Sequence, residues 1–147
     1  MAAPVVTAVT RISAPVEDVW RVLVAFDAYA HWHPVLSFDT KPEQALVGAE
    51  LPGRVARGDT AEQDVALRIV EVEAPRRLVW EGGSLDTLLG RHSFLLTPQP
   101  DGTTELTDSE EFFGPAADEL VPALGRFREE YARNGVALRA RVTGTSD

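Results

Sequence analysis

The sequence contains no cysteine. Disulfides, thiol nucleophiles, thiolate metal sites and iron–sulfur clusters are excluded together, and the absence agrees with a reducing cytosol. Positive charge is also scarce: 14 Lys and Arg stand against 23 Asp and Glu, for a net charge of −9. Such a chain is repelled by phosphate backbones and anionic headgroups. Its densest arginine run (Arg126, Arg128, Arg133, Arg139 and Arg141) is interrupted by Glu129 and Glu130 and reads as a solvated helix face. No nucleic-acid partner is therefore expected. No apolar run approaches the roughly 18 residues of a membrane helix, and the start, Met1-Ala-Ala-Pro-Val-Val, lacks a basic leader region. The expectation is a cytoplasmic protein without membrane insertion. Gly-x-Ser-x-Gly, Gly-x-Gly-x-x-Gly and a lysine-bearing phosphate loop are missing too, which leaves hydrolase, kinase and dehydrogenase readings unsupported.

What is present suffices for one ordinary core. A chain of 147 residues, 44% of them hydrophobic, is sized for a single domain over 1–147 and buries about two-thirds of its unfolded surface. Val5 to Ile12 reads as a strand. Ser13 is placed as the cap of a helix whose Val16, Val19, Trp20, Leu23 and Val24 make one apolar stripe. A short second helix runs from Asp27 to about Trp32 and stops before Pro34. Six strands follow, over 35–41, 49–57, 63–72, 77–81, 87–97 and 103–113, separated by Pro, Gly and Asp clusters and so joined as antiparallel hairpins. From Gly114 the pattern turns helical, with Leu120, Leu124, Phe127, Tyr131, Leu138 and Val142 mostly on one face. Pro122 belongs near the start of that helix, and Asn134-Gly135 is a weak point where it could kink. A seven-stranded sheet with an open apolar face needs a cover, and the last helix is the one large stripe left to supply it.

The order of these motifs resembles a known family, the START-like or Bet v 1-like (SRPBCC) superfamily, with its bacterial polyketide cyclase/dehydrase and lipid-transport members. Ile12-Ser-Ala-Pro-Val-Glu-Asp-Val-Trp-Arg-Val-Leu is similar to its first strand end and first helix. Phe26-Asp-Ala-Tyr-Ala-His-Trp-His-Pro resembles its second helix, with His33 where Trp-Asn-Pro is usual. Val47-Gly-Ala-Glu-Leu, then Ile69 through Trp80, resemble its middle strands, and Glu110-Glu-Phe-Phe-Gly precedes the last helix as expected. The resemblance implies an α+β helix-grip fold: a seven-stranded antiparallel sheet around a long C-terminal helix, with two short helices after the first strand. It implies no single function, because the fold hosts carriers, receptors, cyclases and chaperone co-activators.

The last hairpin sharpens the reading. Turning it about Asp101 sets His92 opposite Glu110, Phe94 opposite Asp108 and Leu96 opposite Leu106. Alternation then puts His92, Phe94 and Leu96 on one face, facing Leu106, Asp108, Glu110 and Phe112. His92 and Glu110 are predicted to form a hydrogen-bonded pair inside the cavity, as a ligand anchor, an acid–base pair or a structural pair. Trp32 plugs one end of the core and His33 lines the mouth. A zinc site from His31, His33 and His92 would use every histidine in the chain, and no metal is expected. Trp80 is core or ligand platform. Phe127 and Tyr131, one helical turn apart, are core or cavity roof, with Leu124 on the same stripe and the Tyr131 hydroxyl as an anchor. Arg54 is an exposed strand residue, or binds an acidic ligand group if its strand turns it inward.

Three functions follow, none needing a cofactor. The first is a binding or carrier module for a hydrophobic or aromatic small molecule. The second is a cyclase, aromatase or dehydratase in which His92, Glu110 and Tyr131 supply acid–base groups. The third is an interaction module like the chaperone co-activators. Either a monomer or a homodimer accommodates them.

Overall fold

A computed structural model describes residues 3–58 and 61–144. Strand β1 (Val5–Ile12) leads into helix α1 (Val16–Leu23), a 3-10 turn (Phe26–His31) and strand β2 (Leu36–Phe38). Strands β3 (Glu50–Val55), β4 (Gln63–Glu73), β5 (Arg77–Gly83), β6 (Leu89–Pro98) and β7 (Thr104–Phe113) follow. A second 3-10 segment (Ala117–Ala123) delivers the chain to helix α2 (Leu124–Thr143). The strands form one seven-stranded antiparallel sheet in the order β1-β7-β6-β5-β4-β3-β2. Curled around α2, it is the predicted helix-grip architecture.

Period-two patterning makes the sheet two-faced. In β1, Val6, Ala8, Thr10 and Ile12 are buried while the residues between them are exposed. In β6 the same alternation buries His92, Phe94 and Leu96. A register shift between Ile69 and Glu71, where β4 meets β5, adds the local bend and twist a bulge brings. The sheet's inner face and α1 build the main core around Phe26, Tyr29, Leu51, Ile69, Leu78 and Leu138. A smaller cluster of Val6, Ala8, Phe112, Ala117 and Tyr131, backed by Leu124 and Phe127, closes the other end.

Local details differ from the sequence reading. Ser13 does not cap α1: Pro15 holds the cap position in extended geometry with no side-chain bond, as a ring locked near its φ allows. Strand β2 is three residues long because this edge strand pairs only with β3 before the Lys41-Pro turn. Pro122 lies in the 3-10 segment, one turn ahead of α2. Gly135 does not interrupt α2, which runs unbroken. It is a contact point: a Cβ there would sit 2.1 Å from Thr10 Oγ1 of β1, so the missing side chain lets helix and strand approach.

Candidate functional site

A cavity of about 140 Å³ lies between α2 and the concave face of the sheet. Leu23, Tyr29 and Leu36 wall one end; Trp80, Phe94 and Leu106 come from the sheet, and Leu138 from the helix. Set into this apolar wall are His33, His92, Asp108, Glu110, Tyr131 and Asn134. Arg57 and Glu130 lie where the cavity shares its lining with an outer groove. Arg57 Nε donates to Glu130 Oε1 at 2.7 Å and its NH2 group to Oε2 at 3.3 Å, joining the chain just past β3 to α2. This fork holds the guanidinium pKa above its ordinary value, despite partial burial.

The expected hairpin register is observed: His92 faces Glu110, Phe94 faces Asp108 and Leu96 faces Leu106. The predicted hydrogen bond is not. His92 Nε2 reaches diagonally to Asp108, while its Nδ1 stands 3.9 Å from Glu110 Oε1. Glu110 instead accepts the hydroxyl hydrogen of Tyr131. The imidazole stacks on Phe94 (4.5 Å between ring centres, 12° between planes), with Tyr131 at 5.0 Å and Trp80 edge-on at 5.6 Å. Burial alone would strip its proton. The charge of Asp108, the bond to it, and the further charges of Glu110 and Glu130 outweigh burial and raise the His92 pKa to about 9. Burial, the Glu110 charge and its hydrogen bond push the Tyr131 hydroxyl well above its ordinary pKa. Both side chains therefore hold their protons at neutral pH.

His33 behaves in the opposite way. Its Nδ1 accepts the backbone N–H groups of Val35 and Leu36 at 3.0 and 2.9 Å, which places the ring hydrogen on Nε2. An acceptor bonding the backbone two residues on is what an Asn side chain provides in such a turn, so the His-for-Asn departure preserves the turn. Burial, then repulsion from His92, lowers the His33 pKa to about 3.

Of the residues singled out in the sequence, Trp32, His33, Trp80, His92, Phe94, Glu110 and Tyr131 line the cavity. Arg54 does not: it is exposed and paired with Glu62 at 3.3 Å, because its strand phase turns it outward. Phe112, Leu124 and Phe127 belong to the smaller cluster beyond the cavity, the Phe112 and Phe127 rings 5.6 Å apart. Phe127 does line the outer groove. His31 is exposed. Among the described residues no group of His, Asp and Glu is arranged to hold a metal ion, and no helix is long and apolar enough to cross a membrane. The sequence reading missed Asp108 as the partner of His92, and missed Arg57, Glu130 and Asn134. The last carried a usable signal: Asn134 lies three residues after Tyr131 and four before Leu138, on the same helical stripe.

Comparison with known proteins agrees with this architecture. A family model described as polyketide cyclase/dehydrase and lipid transport matches residues 3–143. No curated protein matches the chain. Protein Ms6760 from Mycobacterium smegmatis superposes with a TM-score of 0.76 at 17% identity, over 97% of this chain and 93% of that one. Protein MLL2253 from Mesorhizobium loti gives 0.72 at 21%, over 98% and 99%. Ara h 8.0201 gives 0.73 at 11%, over 97% and 99%. At these identities the likeness concerns the fold.

Proposed function

The chain belongs to the polyketide cyclase/dehydrase and lipid transport family, within the START-like and Bet v 1-like superfamily, and from that premise we propose that it binds a hydrophobic or aromatic small molecule between the sheet and α2. One observation carries this reading: the core is not filled, and the space left is walled by Leu, Trp and Phe side chains with a few polar groups directed into it. An unfilled apolar space costs packing energy, and a ligand returns it. The test is native mass spectrometry of freshly purified protein, joined to an NMR titration with isopropylbenzene. A co-purified small molecule, and shifts at the Leu23, Leu106 and Leu138 methyls that a cavity-filling Leu106→Trp variant abolishes, are expected. No shift at these methyls with saturating isopropylbenzene, and none with benzamide, acetophenone or benzoate in its place, would overturn the reading.

Catalysis in the same cavity is favoured by a separate observation, the two charge-assisted pairs His92–Asp108 and Tyr131–Glu110 on one wall. Buried titratable groups perturbed by a named partner, inside a cavity, are the usual form of an acid–base site. In that role the His92 imidazolium and the Tyr131 hydroxyl donate protons and a freed carboxylate accepts them, serving cyclisation or dehydration of a polyketide-like chain. Turnover of a polyketide surrogate by the wild type, lost in a folded His92→Ala variant, separates enzyme from carrier. Equal turnover by the two removes the catalytic role.

A further inference from the structure

We infer that this cavity selects an uncharged aromatic ligand of about single-ring size, one that offers a hydrogen-bond acceptor to Trp32 and a donor to Asn134, and that it rejects carboxylic acids. The inference rests on the reading that the cavity binds a small molecule.

The polar atoms of the lining divide into two groups. Some are already paired within the protein. His92 holds Asp108, Tyr131 holds Glu110, the Tyr29 hydroxyl donates to Leu23 O at 2.6 Å, and His33 Nδ1 accepts two backbone hydrogens. Among the atoms wholly removed from solvent, two have no partner within the protein: Trp32 Nε1 and Asn134 Oδ1. Both residues line the cavity. Buried polar atoms are paired as a rule, and leaving one unmade is costly. The first is a donor without an acceptor and the second an acceptor without a donor. A ligand carrying both complements, such as a primary amide or a phenol, satisfies the pair; a hydrocarbon leaves both stranded.

Charge and volume narrow the class further. The ionisable lining contains three carboxylates, Asp108, Glu110 and Glu130, and two cations, Arg57 and His92. Both cations are engaged by those acids. An entering carboxylate would lose its hydration beside three like charges, with both cations already engaged. The chain as a whole, at −9, adds to the repulsion. The space of about 140 Å³ is close to that of an engineered apolar cavity that takes benzene, so a long acyl chain does not fit this packing.

Four probes of nearly equal shape test the inference: benzamide, acetophenone, isopropylbenzene and benzoate, titrated by NMR or calorimetry at neutral pH. Benzamide is expected to bind tightest, acetophenone next, then isopropylbenzene, with benzoate at least tenfold weaker than benzamide. Trp32→Phe, which keeps a ring but deletes the N–H, should narrow the gap between benzamide and isopropylbenzene at least fivefold. Asn134→Leu should weaken benzamide and leave acetophenone unchanged. Benzoate binding as well as benzamide, or a Trp32→Phe variant that leaves the gap intact, overturns the inference while the carrier reading stands. If none of the four binds, the carrier reading falls with it.

Discussion

Asp108 receives the Nε2 hydrogen of His92 across a diagonal of the β6–β7 ladder, although the residue directly opposite His92 is Glu110. Diagonal neighbours in an antiparallel pair lie within reach of long side chains, and the choice has an energetic consequence. Asp108 is 3% exposed and His92 8%, so each charge depends on the other for compensation. Asp108→Asn keeps the shape and an acceptor but deletes the charge. The imidazole can then shed its proton, which limits the damage. A fall in its pKa from about 9 to the ordinary 6.5 corresponds to a loss of roughly 3 kcal/mol at neutral pH, at about 1.4 kcal/mol per unit. A His92 ring resonance in Asp108→Asn titrating near 6.5 or below, with a matching loss in urea denaturation, is the expected result. An unchanged titration would show that Asp108 is not what holds the proton.

The two cavity histidines bound stability on opposite sides. His92 has a folded pKa of about 9, above the unfolded 6.5. Its contribution is complete below pH 6.5 and is lost as pH rises through 9. His33 has a folded pKa of about 3, below 6.5. Its contribution is complete above pH 6.5 and is lost as pH falls toward 3. Stability measured by denaturation against pH is therefore expected to peak near pH 6.5 and fall both ways. His92→Gln should flatten the alkaline limb. His33→Asn, which retains a turn acceptor, should flatten the acid limb. A profile level from pH 6.5 to 9 in the wild type would contradict the His92 assignment.

The fold was legible wherever one face of an element is buried. Alternation in β6 and β7, with an Asp101-Gly102 turn between them, fixes a register in which a one-residue slip would invert every side chain, and the observed pairs agree. The direction of the His92 side chain was not legible, because register places Cα atoms and leaves rotamers open. Arg57 and Glu130 were hidden for a related reason. Each looks like a solvated charge in its own element, and only the folded approach of β3 to α2 joins them. The helical face of Phe127 leaves it open between core and cavity roof, because a stripe 20 residues long spans both core clusters and periodicity does not say which one a turn covers.

Gly135 offers a test of the helix–sheet approach. Helix propensity alone favours Ala over Gly by about 1 kcal/mol. Here the new Cβ would lie 2.1 Å from Thr10 Oγ1 and 3.0 Å from its Cβ, and overpacking of this kind costs about 1–3 kcal/mol. Gly135→Ala is therefore expected to lower the melting temperature. Adding Thr10→Ala removes the nearer atom and should restore part of the loss, so the double-mutant cycle shows a favourable coupling. A stabilised Gly135→Ala single variant would mean that α2 does not press on β1 at this point.

The Arg57–Glu130 fork is expected to act on exchange more than on stability. Its side chains are 50% and 14% exposed, so the ion pair contributes at most about 1 kcal/mol to folding. Its position is what distinguishes it: Arg57, Glu130 and Asn134 line both the cavity and the outer groove, so a ligand leaving by that side must pass the fork. Glu130→Gln removes the charge and keeps the volume. Benzamide, or whichever probe binds, should dissociate several-fold faster from this variant with a melting temperature within a few degrees of wild type. Because the Arg57 end of the fork is half solvent-exposed, raising the ionic strength should screen it and bring the wild-type dissociation rate toward that of the variant. Line-shape analysis of the bound probe across a salt series measures both effects. A dissociation rate unchanged by Glu130→Gln and flat with salt would mean that the ligand exchanges through another opening, and the recess shared by Trp80, Glu110 and Phe112 would be the place to look next.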